Sequence, residues 1–222
     1  MIWLLDLDNT LVSRDDAFAA WAATAVADDG GTDADLAAIV AADDGGFSPK
    51  AVVARELIDR LGWADDVEAA IDRFRAGIRE HVRAYDGVLA DLDALRAAGD
   101  RAAVVTNGVS HQQRGKIARC GIAAHVDAIV VSGEEGVEKP DPRIVEIALA
   151  RLGVTDVDRD RVWMVGDAGH ADVAVGRAAG VRTGWVSHGR AWDDAEGPVP
   201  DAVGATTRDV LALVTAGEPA AP

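Results

Sequence analysis

The sequence predicts an α/β protein: a doubly wound parallel sheet carrying an inserted α-helical domain. Three observations predict it. A four-residue apolar run, Ile2–Leu5, opens the chain and stops at Asp6 and Asp8. A stretch from Ser13 to about Ala84 is Ala-rich, studded with charge and helical in period, with no strand pattern. From Tyr85 onward short apolar runs alternate with amphipathic segments, the pattern of strands and crossover helices in a parallel sheet. The domains expected are a core of residues 1–13 and 85–222 and a helical cap of residues 14–84.

The elements follow in order. Ile2–Leu5 reads as a strand buried on both faces, because nothing polar interrupts it. Asp15–Ala27 reads as a helix ended by Asp28-Asp29-Gly30-Gly31. Thr32 or Asp33 caps a second helix to Ala42, and Asp43-Asp44-Gly45-Gly46 is a turn. Ser48 and Pro49 fit the cap and first position of a third helix reaching Leu61-Gly62. A fourth, from about Ala64 to Val82, places Val67, Ile71, Phe74 and Ile78 on one face. In the core, Val88–Ala98 is a helix closed by Gly99, and Arg101–Thr106 a strand stopping at Asn107-Gly108. Ser110 caps a helix to Cys120-Gly121, and Ala128–Val131 is the third strand. Asp141 caps a helix with Pro142 in its first position, ending at Leu152-Gly153. Val162–Val165 is the fourth strand, Ala171–Ala179 a helix, Val181–Val186 the fifth strand, and Thr206 or Thr207 caps a last helix to about Thr215. Past Gly217 the small, Pro-rich residues predict a frayed tail.

Composition narrows the function classes. The chain has 22 basic and 38 acidic residues, a formal charge of −16, which repels nucleic acid and anionic lipid. Three of the basic residues are lysines (Lys50, Lys116, Lys139), leaving 19 arginines (22 − 3). Abundant acid with scarce lysine looks like proteins of salt-loving organisms; at molar salt the Debye length is about 3 Å and surface self-repulsion is screened. No apolar run of about 18 residues predicts a membrane span, and a four-residue apolar start predicts no secretory leader. Cys120 is the single cysteine, so no internal disulfide forms, and the cytoplasm is the expected compartment. The sequence leaves monomer and homodimer open.

The chemistry-bearing residues fall at predicted strand ends. Asp6 and Asp8, spaced i, i+2 in extended chain, point to the same side. Two carboxylates held together there invite a cation, a shared proton, or both. Thr106 and Asn107 end the second strand, Lys139 follows the third, and Asp167 ends the fourth with Asp172 five residues on. In a parallel sheet these ends share one rim. Up to four carboxylates, one lysine and a hydroxyl–amide pair on a rim suit hard cations such as Mg²⁺ and a phosphoryl group. The chemistry indicated is metal-assisted phosphoryl transfer.

Asp6-x-Asp8-x-Thr10, Thr106-Asn107-Gly108, Lys139-Pro140 and Gly166-Asp167-x-x-x-x-Asp172, in this order, resemble the four motifs of the haloacid dehalogenase superfamily of hydrolases, phosphatase type. The resemblance spans most of the chain. It implies a Rossmann-like core, and the insert resembles the family's small α-helical cap. It implies Asp6 as the nucleophile that becomes an aspartyl phosphate, and Asp8 as general acid and then base. It implies Thr106, helped by the Asn107 amide, as binder of the phosphoryl oxygens, with Lys139 neutralising Asp6 and the phosphoryl charge. For the metal it implies Mg²⁺ on Asp6, the backbone carbonyl of Asp8, Asp167 and Asp172, the last directly or through water. Ala168 stands where Ser or Thr is frequent in the family, and Gly169-His170-Ala171 where acidic or amide residues often stand, which removes one hydrogen bond behind the metal cluster. His170, His188 and Arg190 read as loop or helix-start residues, and Phe18 and Trp21, early in the first cap helix, read equally as facing the site or as core packing.

The expected function is a Mg²⁺-dependent phosphatase for a small phosphorylated metabolite, with no nucleic-acid or membrane partner. The alternatives are a phosphomutase or phosphotransferase of the same superfamily and a non-catalytic phospho-acceptor or binding protein. Asp8 argues against the family's dehalogenases and phosphonate hydrolases, which lack it; the latter use a cap lysine, and Lys50 is the single cap lysine here. A receiver domain shares the acidic cluster, Thr and Lys but not an insert such as 13–84. Substrate selection is expected from the cap, closing over a compact substrate.

Overall fold

The computed structural model describes residues 1–154 and 156–217. The expected tail beyond Gly217 lies outside the described residues. The chain divides into two compact units, Met1–Val12 with Ala84–Pro222, and Ser13–Arg83.

The elements run β1 (Ile2–Leu5), α1 (Arg14–Asp28), α2 (Asp33–Asp43), α3 (Lys50–Leu61), α4 (Val67–His81), α5 (Val88–Ala97), β2 (Arg101–Thr106), α6 (Ser110–Arg119), β3 (Ala128–Val131), α7 (Ser132–Glu135), α8 (Arg143–Arg151), β4 (Val162–Gly166), α9 (Ala174–Ala178), β5 (Arg182–Val186), β6 (Ala202–Gly204) and α10 (Thr207–Gly217). In the first unit the sheet order is β3-β2-β1-β4-β5-β6, and every pairing is parallel. The order reverses on either side of β1, which makes the carboxyl end of β1 the switch point where α/β sheets bind ligands. All four residues of β1 are buried. Ile2 and Leu4 pack on one face with Ala103, Val105, Val130 and Met164, beneath Ile144, Val145, Ala148 and Leu149 of α8. The alternation of side chains sends Trp3 and Leu5 to the other face. Trp3 donates its indole N–H to Asp100 Oδ2 (2.8 Å) and stacks on Trp163 at 6.3 Å. Register sets the rim: Leu5 is level with Val104 and with Val165, so β1, β2 and β4 release Asp6, Thr106 and Asp167 within two residues of one another.

The second unit is a four-helix body with an aromatic core. Phe18, Trp21 and Phe74 lie 5.9–6.2 Å apart between ring centroids, and Trp63 closes the group 6.2 Å from Trp21. A Cβ at Gly77 would lie 2.0 Å from the Trp21 ring, so α1 and α4 approach closely only because residue 77 has no side chain. Arg14 and Asp43 form a buried ion pair, and Lys50 turns back to the Gly46 carbonyl (2.6 Å).

Several local expectations shift. Thr32 and Asp35 form a reciprocal cap of α2, and Thr206 and Asp209 do the same for α10. The third helix starts at Lys50: Pro49, with ψ 130°, precedes it and does not occupy its first turn. Asp66, whose carboxylate accepts the Ala69 N–H (2.8 Å), starts α4 later than expected. Ser110 is inside α6 and donates its hydroxyl to Glu134 (2.6 Å) instead of capping. Asp141 does accept the Arg143 N–H (3.0 Å), yet Pro142 is the residue flanking α8. Ser132–Glu135, directly after the third strand, makes one helical turn. The edge strand β6 was not expected. It is three residues long, Ala-Val-Gly, and is held by β5 and by the Ser187 hydroxyl on the Gly204 carbonyl (3.1 Å). Among the described residues no helix is long and apolar enough to cross a membrane.

Candidate active site

Asp6 follows β1 directly, and its N–H donates to the Val165 carbonyl (2.9 Å), which continues the β1–β4 ladder one step and fixes the backbone. Its carboxylate is buried and accepts from Lys139 Nζ (Oδ1, 2.6 Å). The same ammonium donates to Asp172 Oδ1 (2.7 Å) and to the Val105 carbonyl (2.9 Å). An ammonium has three hydrogens, and Lys139 uses them on three acceptors from three segments. Lys139 is placed by its own backbone: its N–H donates to Asn107 Oδ1 and its carbonyl accepts from Asn107 Nδ2, both at 2.9 Å. Asn107 thus locks the loop bearing Lys139 onto the end of β2.

Asp172 sits in a π-helical turn, Gly169–Val173, that precedes α9. Its Oδ2 accepts the Ala168 N–H (3.0 Å) while its own N–H donates to the Ala168 carbonyl (2.7 Å). The wide turn swings the side chain back over the end of β4, toward Lys139. Asp167 is buried beside it. The Asp167 carbonyl accepts from Trp185 Nε1 (2.9 Å) and from Arg190 Nη2 (2.7 Å).

Asp6, Asp167 and Asp172 each offer a carboxylate oxygen within 4.8 Å of the others, and all three are buried. Burial penalises their charge, and Lys139 serves two of the three. The electrostatics follow. Burial, with Asp172 and Asp8 nearby, outweighs the Lys139 ammonium and pushes the Asp6 carboxyl up to about 7. Burial disfavours the Lys139 ammonium, but Asp172 and Asp6 overcome it and hold its pKa above the ordinary lysine value. Three buried hard oxygen donors fit Mg²⁺, an ion bound through a few carboxylates that keeps several waters and takes up substrate phosphate oxygens.

Asp8 lies apart from that set. Its carboxylate accepts from Lys116 Nζ at both oxygens (2.7 and 2.6 Å) and from Gln113 Nε2 at Oδ2 (3.0 Å). Gln113 Nε2 also donates to Thr106 Oγ1 (2.7 Å). The structure thus brings Asp6, Asp167, Asp172 and Lys139 into one cluster and links Asp8 to Thr106 through α6. The side chains of Gln113 and Lys116 were missed in the sequence. The sequence signal available was scarcity: Lys116 is one of three lysines in the chain, with Gln113 one turn before it.

The flanking residues divide. His188, with φ 49°, donates from its ring Nε2 to the carbonyl of Asn9 (2.6 Å), and Asn9 itself has φ 54°. Arg190 holds the Asp167 carbonyl, so neither is a plain surface-loop residue. His170 is exposed at the start of the π turn, 3.7 Å from Glu196. Phe18 and Trp21 belong to the aromatic core of the helical unit.

Residues 3–186 match the family described as haloacid dehalogenase-like hydrolase. The chain is 38% identical over 146 residues to a phosphoserine phosphatase of Thermus thermophilus, covering 65% of this chain and 57% of that one. It is 37% identical over 101 residues to the pyrimidine 5'-nucleotidase YjjG of Escherichia coli, covering 46% of this chain and 44% of that one. The matches span about half the length of these curated relatives. Among solved structures, YfnB of Bacillus subtilis, described as a HAD hydrolase bound to magnesium, superposes with a TM-score of 0.77 at 21% identity, over 96% of this chain and 97% of that one. That likeness concerns the fold. The extent of the family match decides membership: the chain belongs to the haloacid dehalogenase-like hydrolases.

Proposed function

We propose that this protein is a Mg²⁺-dependent phosphatase that hydrolyses a small phosphate monoester through an aspartyl phosphate on Asp6. The observation that carries this reading is the separation of two carboxylates two residues apart into different surroundings. Asp6 is buried against Lys139, whereas Asp8 is turned to Lys116 and Gln113. Paired carboxylates in unlike environments take unlike roles.

Asp6 Oδ attacks phosphorus, and the bond from phosphorus to the ester oxygen breaks. Asp8 gives its proton to that oxygen, so an alcohol leaves and Asp8 remains as carboxylate. A water then attacks phosphorus, its proton passes to Asp8, and the bond from phosphorus to Asp6 breaks to release phosphate. The Lys139 ammonium supplies positive charge beside the phosphoryl group, the Thr106 hydroxyl donates to its oxygens, and the Asn107 backbone N–H adds a second donor. Asp6, Asp167 and Asp172, with the Asp8 carbonyl, would hold Mg²⁺, which supplies positive charge against the phosphoryl oxygens when bound. Substrate selection belongs to the helical unit Ser13–Arg83, inserted in the chain directly behind the Asp8 turn.

The test is phosphate release from p-nitrophenyl phosphate, phosphoserine and a pyrimidine 5'-nucleotide, the last two after the names of the relatives, with Mg²⁺ and with EDTA, at low and molar salt. Turnover that needs Mg²⁺ and disappears in Asp6→Asn supports the reading. A folded wild type that releases no phosphate in any condition refutes it. Transfer of phosphate between two positions of a sugar, without release, would mark a phosphomutase.

A further inference from the structure

We infer that Gln113 and Lys116 are positioning residues of the ester cleavage: Lys116 fixes the Asp8 carboxylate, and Gln113 ties Asp8 to Thr106 and aims the Thr106 hydroxyl. This rests on the phosphatase reading above and deepens it, because neither residue belongs to the motifs that suggested that reading.

Lys116 is 6% exposed, in a chain that uses three lysines in all. A buried ammonium is costly unless paired, and its partner is Asp8, met at both oxygens within 2.7 Å. Contact at both oxygens fixes the rotation of the carboxylate as well as its place. An ion pair serving stability alone would explain this much. Gln113 adds what such a pair would not. Its amide nitrogen has two hydrogens, and the structure gives them two acceptors, Asp8 Oδ2 at 3.0 Å and Thr106 Oγ1 at 2.7 Å. Thr106 Oγ1 is therefore an acceptor toward Gln113, and its own hydrogen points elsewhere. Among the described residues, the acceptor given for that hydrogen is the Asn107 carbonyl at 3.5 Å, too long to retain it. The hydroxyl is left as a donor for a phosphoryl oxygen. One helix face thus sets the group that protonates the leaving oxygen and a group that binds the transferred phosphoryl.

The consequence depends on the leaving group. A nitrophenolate departs without a proton, while an alkoxide needs one from Asp8. Disorienting Asp8 should therefore lower kcat/KM, which ends at formation of the aspartyl phosphate, far more for alkyl esters than for p-nitrophenyl phosphate, whereas hydrolysis of the shared aspartyl phosphate slows alike for both. The experiment compares kcat and KM for p-nitrophenyl phosphate and for an alkyl phosphate, with Mg²⁺, in wild type, Lys116→Met, Lys116→Arg and Gln113→Leu. Lys116→Met is expected to lower kcat/KM for the alkyl ester about 100-fold, the scale of general-acid help, and for the nitrophenyl ester less than about 5-fold, with Lys116→Arg recovering part of the loss. Gln113→Leu should show the same asymmetry and also raise KM for both esters, since it releases Thr106. Equal losses of kcat/KM on both esters, or none, in whichever of Lys116→Met and Gln113→Leu folds, would overturn the inference while leaving the phosphatase reading standing. A wild type that cleaves neither ester overturns the phosphatase reading, and this one with it.

Discussion

Gly166 and Asp172 compete for the same space: a Cβ at position 166 would lie 2.1 Å from Oδ2 of Asp172 and 2.2 Å from its carboxyl carbon. The Asp172 carboxylate reaches Lys139 and the Ala168 N–H only because the last residue of β4 has no side chain. The glycine before Asp167 is therefore a steric requirement of Asp172, six residues on. Gly166→Ala should displace the carboxylate, remove its bond to Lys139 and destabilise the fold by about 1–3 kcal/mol, the usual cost of overpacking. Urea unfolding with and without Mg²⁺ checks it, and the variant should also gain less stability from the metal than wild type does.

Lys139 matches its three donors to Asp6, Asp172 and the Val105 carbonyl. Removing one member of such a buried set leaves charge without its counterion. Lys139→Met is expected to cost about 3 kcal/mol at pH 8 and to abolish phosphate release. Lys139→Arg should not rescue it: a planar guanidinium cannot place donors on three acceptors arranged around a single nitrogen. Denaturant midpoints and turnover of both variants check this, and near-wild-type activity of the arginine variant would refute the geometric account.

The rim residues were legible in the sequence because an apolar run that stops at a polar residue marks a strand's carboxyl end. Asp6, Thr106 and Asp167 all lie at such stops. Register then brought them level, a property of pairing that no single segment displays. The partners of Asp8 were not legible in that way. Gln113 and Lys116 lie on a helix whose polarity reads as a solvated face, and burial of that face is a tertiary fact. The π-helical turn at Gly169–Val173 was equally hidden: a five-residue widening leaves no periodic trace, yet it aims Asp172. Edge strand β6 failed for a plain reason, since Ala-Val-Gly is too short to carry an alternation.

Away from the rim, Glu134 joins α7 to α6. It accepts from Arg114 at both carboxylate oxygens (2.9 and 2.7 Å) and from the Ser110 hydroxyl (2.6 Å). Arg114 first and Ser110 second hold its pKa down at about 2, from 4.5. A depressed carboxylate stabilises the fold above its unfolded value and loses that contribution as pH falls from about 4.5 toward 2. The pair is largely in solvent, so the contribution is discounted to about 0.5 kcal/mol. Arg114→Gln should lower stability by about that amount at pH 7, and the difference from wild type should shrink toward zero near pH 2. Paired thermal melts across that range check it; a constant difference would assign the effect to packing of the arginine stem.

Asp6 has the opposite sign. Its folded pKa, about 7, lies above its unfolded value of 3.8, chiefly because burial disfavours the carboxylate. Such a group contributes most stability below the unfolded value, and the contribution is lost as pH rises through the folded one. In EDTA the wild type should therefore lose stability relative to Asp6→Asn, which carries no charge at any pH, as pH rises from 5 to 8. A divalent cation coordinated by Asp6, Asp167 and Asp172 favours the ionised carboxylate and should cancel this loss. Magnesium is then expected to raise the Tm of wild type more at pH 8 than at pH 5, and to raise that of Asp6→Asn less at either pH. Melting curves at both pH values, with Mg²⁺ and with EDTA, check the two statements together. A Mg²⁺ effect that is equal at pH 5 and pH 8 would mean that the proton on Asp6 and the metal do not compete, and would move the metal away from Asp6.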